Sequence, residues 1–207
     1  MRKTVKSDRL LAVTKCALYR ARPEPRYRDT ALEALRYERR WFDPMQRNWP
    51  DFRTMPGQPP GPPTFPVAWC HGATGIGIAR LRLRHLMPDD PAILPEIDAA
   101  IASVAASLNM PMTPASDFTP CHGASASGEF MLMIAEEFNR PEARAAAEQV
   151  GQVGLQIFHQ PRMPWTSGLP DCGESPSLMI GTAGIGHFYL RLHSPSTMPS
   201  VLLPVAT

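Results

Sequence analysis

Two short segments of the chain carry the residue types that metal chemistry uses. Cys70-His71-Gly72 and Cys121-His122-Gly123 each set a thiol and an imidazole side by side, directly before a glycine. Thiolate and imidazole are donors that suit Zn²⁺ in tetrahedral sites. The cysteines are too widely spaced for a local knuckle of the CxxC type, so any metal must be gathered by the fold. Cys70, Cys121 and one histidine meeting at a point would leave a fourth position open, the mark of a catalytic zinc site. His122 and His71 both qualify as the third donor, and residue type does not separate them. His71 suits proton donation or the orientation of a neighbour equally well. Cys16 falls within a helical stretch and reads as a small buried residue. Cys172 lies in the loop 168–177 and is either a fourth ligand or a surface thiol, with the second reading favoured.

The elements that must position these residues follow from an internal repeat. Cys70 to Gly77 aligns with Cys121 to Gly128 and with Met179-Ile180-Gly181-Thr182-Ala183-Gly184-Ile185-Gly186. The leading glycines Gly72, Gly123 and Gly181 are 51 and then 58 positions apart. Each segment follows a Pro-rich connector and opens an apolar helix, so each repeat reads as a loop, an inner helix and an outer helix. Such hairpins cannot bury their faces alone and stack on neighbours. In a curved array, equivalent positions converge on one end of a central cavity. A cysteine at a helix N-terminus is also biased toward the thiolate. The rival reading makes all three motifs no more than tight turns.

Seven helices are predicted: Asp8 to Ala21, Asp29 (as the cap) to Phe42, Thr74 to just before Pro88, Ala92 to Leu108, Ser125 to Phe138, Pro141 to Phe158, and Ala183 to His193. In the fourth, Ile93, Ile97, Ile101, Val104 and Leu108 form a stripe at helical spacing. Connectors rich in Pro and Gly fill 43–67, 110–120 and 159–177. Nothing alternates at period two, so no sheet is expected.

Composition narrows the classes of function. Of 207 residues, 43% are hydrophobic and 19% charged, as in an ordinary globular protein, and a net charge of +2 argues for neither nucleic acid nor an anionic membrane surface. No stretch approaches the roughly 18 apolar residues of a membrane span. Leu10-Leu11-Ala12-Val13 is broken by Thr14 and Lys15 and makes a poor signal peptide. Reduced cysteines and a cytoplasmic location are therefore expected. Asp89-Asp90 and Glu136-Glu137 read as solvated charges and not as a glycosidase acid pair.

Trp69-Cys70-His71-Gly72, Cys121-His122-Gly123 and Leu178 to Gly186, taken in order, resemble the lanthionine synthetase C-like family. Tyr37-Glu38-Arg39-Arg40, Asn48-Trp49-Pro50-Asp51-Phe52-Arg53 and Pro199 to Leu203 are similar to the C-terminal cyclase domain of bifunctional class II lanthipeptide synthetases. The resemblance implies an all-α fold, an α/α toroid of seven hairpins around a zinc ion. About the C-terminal half of that ring is expected here, residues 1–207 forming a partial cyclase domain with motifs starting near 70, 121 and 179. The implied ligands are Cys70, Cys121 and His122. The implied reaction adds a peptide cysteine thiolate to dehydroalanine or dehydrobutyrine, closing a thioether ring in a dehydrated precursor peptide. Ala126 stands where the family pattern has a glycine, and an upstream His-Gly motif used in proton transfer is missing, which leaves His71 as the candidate catalytic substitute. The alternative is a zinc- or peptide-binding module without the acid, which would associate with itself or with a partner chain completing the ring.

Overall fold

The computed structural model describes residues 8–53, 61–165, 167 and 173–202. Among these the fold is all-α. Seven helices run in order: α1 (Asp8–Ala21), α2 (Pro25–Arg40), α3 (Ala73–Leu86), α4 (Ile93–Leu108), α5 (Ala124–Phe138), α6 (Pro141–Gly154) and α7 (Thr182–His193). Pairing of β type among the described residues is confined to isolated bridges, Asp43 with Asn48, Asp51 with Thr64 and Val67 with Gly72. The chain divides into two compact units, 1–103 and 104–207, with the division falling inside α4.

Most helix ends fall within two residues of the sequence expectation, and two helices depart from it further. α2 does not start at Asp29 but at Pro25, in the first helical position. Proline's fixed φ is already helical there, and its missing N–H would have had no intrahelical partner. Asp29 lies inside the helix and pairs with the exposed Arg28. The sixth rod does extend to the predicted end, but beyond Gly154 it widens into a π-helical turn, Leu155–His159.

In the first unit, α1 packs on α2 and on α3. α3 is buried around most of its circumference, whereas α2 buries one stripe of Ala31, Ala34, Leu35 and Glu38. The connector after α2 is not loose in its described part. Trp49 is fully buried with Ile76, and its ring lies 4.8 Å from that of Phe42. The Asn48 side-chain amide donates to the carbonyls of Phe65 and Pro66, both at 3.1 Å, which draws the two ends of the connector together. In the second unit α5 is the buried helix and α6 covers it along Ala143, Ala147, Val150 and Gly151. Phe118, Phe158 and Phe188 fill this core, each contributing about 1.5–3 kcal/mol of burial.

Each unit also buries an arginine. Arg80 of α3 donates to Glu38 of α2 and to Glu96 of α4, both at 2.6 Å. Arg39 reinforces Glu96 at 2.7 Å and reaches Asp90 at 3.0 Å. Arg191 of α7 donates to Glu129 at 3.0 Å and Glu136 at 2.9 Å, and to the carbonyls of Pro195 and Met198. The expectation that Asp89-Asp90 is solvated is thereby corrected for Asp90, which is largely shielded and held by Arg39, while Glu136 is exposed as expected and pairs with Arg191 from the surface.

Candidate metal centre

All three glycine motifs open their helices by one device. The N-cap residues of α3, α5 and α7 make no side-chain cap. A carbonyl of the preceding loop accepts instead. Ala73 N–H donates to Pro66 O at 3.3 Å, Ala124 N–H to Asp117 O at 3.0 Å, and Thr182 N–H to Ser175 O at 2.7 Å. The pairs 66/73, 117/124 and 175/182 share one spacing, so each loop closes the same ring of residues onto a helix start. That carbonyl also passes where a Cβ on the glycine would stand, at 1.7 Å for Gly72, 2.5 Å for Gly123 and 2.0 Å for Gly181. Glycine here is a consequence of how the helix is capped.

At Gly72 a φ of 91° adds a second reason. Gly72→Ala is expected to cost at least about 1–3 kcal/mol from backbone strain alone, with the Pro66 contact adding to it. A thermal melt should show Tm lower by several degrees, while Gly61→Ala, whose Cβ meets nothing within 4 Å, should melt as the parent does. Equal melting of both variants would contradict the capping account.

Cys70, Cys121 and Met179 occupy the same place on these rings, just ahead of the His or Ile that precedes the glycine. Cys121 N–H donates to Met179 O at 2.9 Å, so the second and third motifs bring equivalent positions together. Cys70, Cys121 and His122 each offer one donor atom, and the three atoms all lie within 4.8 Å of one another. Cys70 is buried, Cys121 half-buried and His122 exposed.

The surroundings of the two histidines differ. His122 turns Nε2 toward Cys121 Sγ at 3.6 Å and Nδ1 toward Asp117 Oδ2 at 3.7 Å. His71 places Nδ1 2.9 Å from Cys70 Sγ, and the Arg53 guanidinium lies 2.8 Å and 2.9 Å from its two ring nitrogens. Arg53 is in turn clamped by Asp51 at 2.6–2.9 Å. Burial alone would raise the Asp51 carboxyl, but the Arg53 hydrogen bonds and charge, with a smaller contribution from His71, hold it below the ordinary carboxylate range. Cys16 stands apart. It is buried, its Sγ is 3.4 Å from Met87 Sδ, and burial pushes its thiol up to about 11, which makes it a packing residue. Cys172 lies outside the described residues.

The donor set fits zinc on chemical grounds. Two sulfurs and an imidazole are soft to borderline donors, and both sulfurs stand just before a helix N-terminus that favours negative charge. A family model for the lanthionine synthetase C-like proteins matches residues 11–203. The chain belongs to that family. Lanthionine synthetase C-like proteins are cyclases of the lanthionine-forming type and act on peptides, and the all-α fold is that expected of their α/α toroid. A search of the curated proteins found no match. No helix among the described residues is long and apolar enough to cross a membrane.

Three residues beside the two histidines, Asp51, Arg53 and Asp117, were not singled out for a role in the sequence. Asp51 and Arg53 reach His71 because the connector doubles back through the Asp51 N–H to Thr64 O bond at 2.7 Å. Their spacing from His71 carries no signal of that. Asp117 precedes its motif in an ordinary polar loop, and only its repeat-equivalence with Pro66 and Ser175 marks the position.

Proposed function

We propose that the chain is a zinc-dependent lanthipeptide cyclase, closest to the cyclase domain of class II synthetases, with Cys70, Cys121 and His122 holding the ion. The observation that carries this reading is the grouping of those three donors in a chain of this family. The ion, when bound, lowers the pKa of an incoming cysteine thiol so that thiolate is available near neutral pH. The substrate is a precursor peptide carrying dehydroalanine or dehydrobutyrine. The peptide sulfur bonds to the β-carbon, and the alkene π pair moves to the α-carbon as an enolate. A proton equivalent to the one lost from the thiol then returns to the α-carbon.

His71 is the group assigned to that proton transfer, since its imidazole stands 2.9 Å from Cys70 Sγ, beside the donor group where the peptide thiol would bind. Arg53, fixed by Asp51, holds the ring in place and adds a positive charge next to it, of the sign that stabilises an enolate. The exposure of His122 and the partial exposure of Cys121 leave the approach of the peptide to that side of the donor group. A centre built on two thiolates works best where cysteines stay reduced, which favours a cytoplasmic location.

Ring closure is isomeric, so the test counts thiols and not mass alone. A dehydrated peptide with one cysteine is incubated with the zinc-loaded protein and then alkylated. Loss of the alkylation adduct, dependent on zinc, is expected. Persistence of the free thiol at full zinc loading would contradict the reading.

A further inference from the structure

We propose that Asp117 is a positioning residue for the metal centre, holding His122 in the tautomer that presents Nε2 as the ligand. This rests on the zinc reading above and adds to it a residue outside the donor group.

The second motif builds Asp117 into place with three backbone constraints. Its Oδ1 accepts the Thr119 N–H at 2.7 Å, its own carbonyl accepts the Ala124 N–H at 3.0 Å, and Thr119 O accepts the Gly123 N–H at 2.9 Å. The turn 117–119 is thus clamped against the first residues of α5. Gly123 is what permits the clamp. A Cβ there would lie 2.3 Å from Thr119 N, 2.5 Å from Asp117 O and 2.6 Å from Asp117 C, all backbone atoms that cannot step aside. The glycine of the motif therefore brings a carboxylate to the histidine of the same motif.

With Oδ1 committed to the loop, Oδ2 is the oxygen that faces His122. It stands 3.7 Å from Nδ1, a gap that a modest rotation of either side chain closes to a hydrogen bond. The opposite nitrogen, Nε2, is the one turned to Cys121 Sγ, at 3.6 Å. The two ring nitrogens thus have separate assignments: Nδ1–H toward a carboxylate, Nε2 toward the sulfur donors. Neutral imidazole puts its proton on one nitrogen only, so a carboxylate at Nδ1 leaves the Nε2 lone pair for a metal. A carboxylate behind a ligating histidine commonly governs affinity by 10- to 100-fold.

The test uses Asp117→Asn. The asparagine side-chain oxygen keeps the Thr119 N–H bond, and its amide nitrogen then meets Nδ1 as a donor facing a donor. Zinc affinity, measured by chelator competition, is expected to fall about 10- to 100-fold, with the Tm of the metal-free protein unchanged. Nitrogen-15 shifts of His122 in the metal-free full chain should report Nδ1–H in the parent and predominantly Nε2–H in Asp117→Asn. An affinity within twofold of the parent, or a parent tautomer that is mainly Nε2–H, would overturn the proposal. If Asp117→Asn does not fold, the parent spectrum alone decides it. A parent that binds no zinc at all yet shows Nδ1–H refutes the zinc reading and leaves only the control of the His122 tautomer by Asp117 standing.

Discussion

Cys121→Ala is expected to lose its zinc, and Cys70→Ala to do the same. Each removes one of two thiolates from the proposed three-donor centre, and the remaining thiolate and imidazole would hold an ion far more weakly. Metal analysis after dialysis should fall from about one zinc per chain to near none. The zinc-dependent part of the Tm should vanish in both variants, because an ion bound only by the folded chain stabilises it by mass action. Thiol consumption on the dehydrated peptide should be abolished with it. Cys16→Ala is the control, since its sulfur packs against Met87 and takes no part in the donor group. Equal zinc loss in all three variants would contradict the assignment.

The largest stability effect is expected at Arg80. Its side chain is wholly buried, and so is that of Glu38. Glu96, the second carboxylate on Arg80, is nearly so. Arg80→Met takes the buried guanidinium away from the Glu38 carboxylate and leaves Arg39 on Glu96. Breaking a buried pair from one side costs about 3–5 kcal/mol, because the desolvation of the partner is no longer offset. Tm should drop by roughly 6–20 °C for a chain of this size. Adding Glu38→Met removes the carboxylate that faced Arg80, so the double variant should recover much of the loss. A loss below about 1 kcal/mol in urea unfolding of Arg80→Met would show that the network is less buried than it stands here. Arg191 with Glu129 and Glu136 plays the same part in the second unit, but Glu136 is partly exposed and its pair is screened.

Much of the helical plan was legible because its signals are local. Ile93, Ile97 and Val104 are spaced for one face and are buried. Pro141 opens α6 in its first turn, as its chemistry predicts. The start of α2 was missed because Asp29 and Pro25 both carry N-terminal signals, and the proline's covalent constraint outweighs an aspartate's optional hydrogen bond. The π-helical turn after Gly154 has no periodic signature. It arises where Gly154 lets Phe118 and Tyr189 come close, a tertiary fact.

The same division holds at the site. Two Cys-His-Gly motifs announce themselves by composition and repeat. Asp117, Asp51 and Arg53 do not, since they arrive through loop closure. The choice between His71 and His122 was also beyond residue type. The structure gives them different neighbours: Asp117 and Cys121 for His122, Arg53 and Cys70 for His71. The repeat fixes where a motif sits, while the loop before it determines what each imidazole faces.

The most direct measurement is zinc-edge X-ray absorption on the purified, zinc-loaded protein. Two sulfur scatterers at about 2.3 Å and one imidazole nitrogen at about 2.0–2.1 Å, with one further light atom, are expected. A first shell of nitrogen and oxygen only, or a single sulfur, would mean that Cys70 and Cys121 do not share one ion.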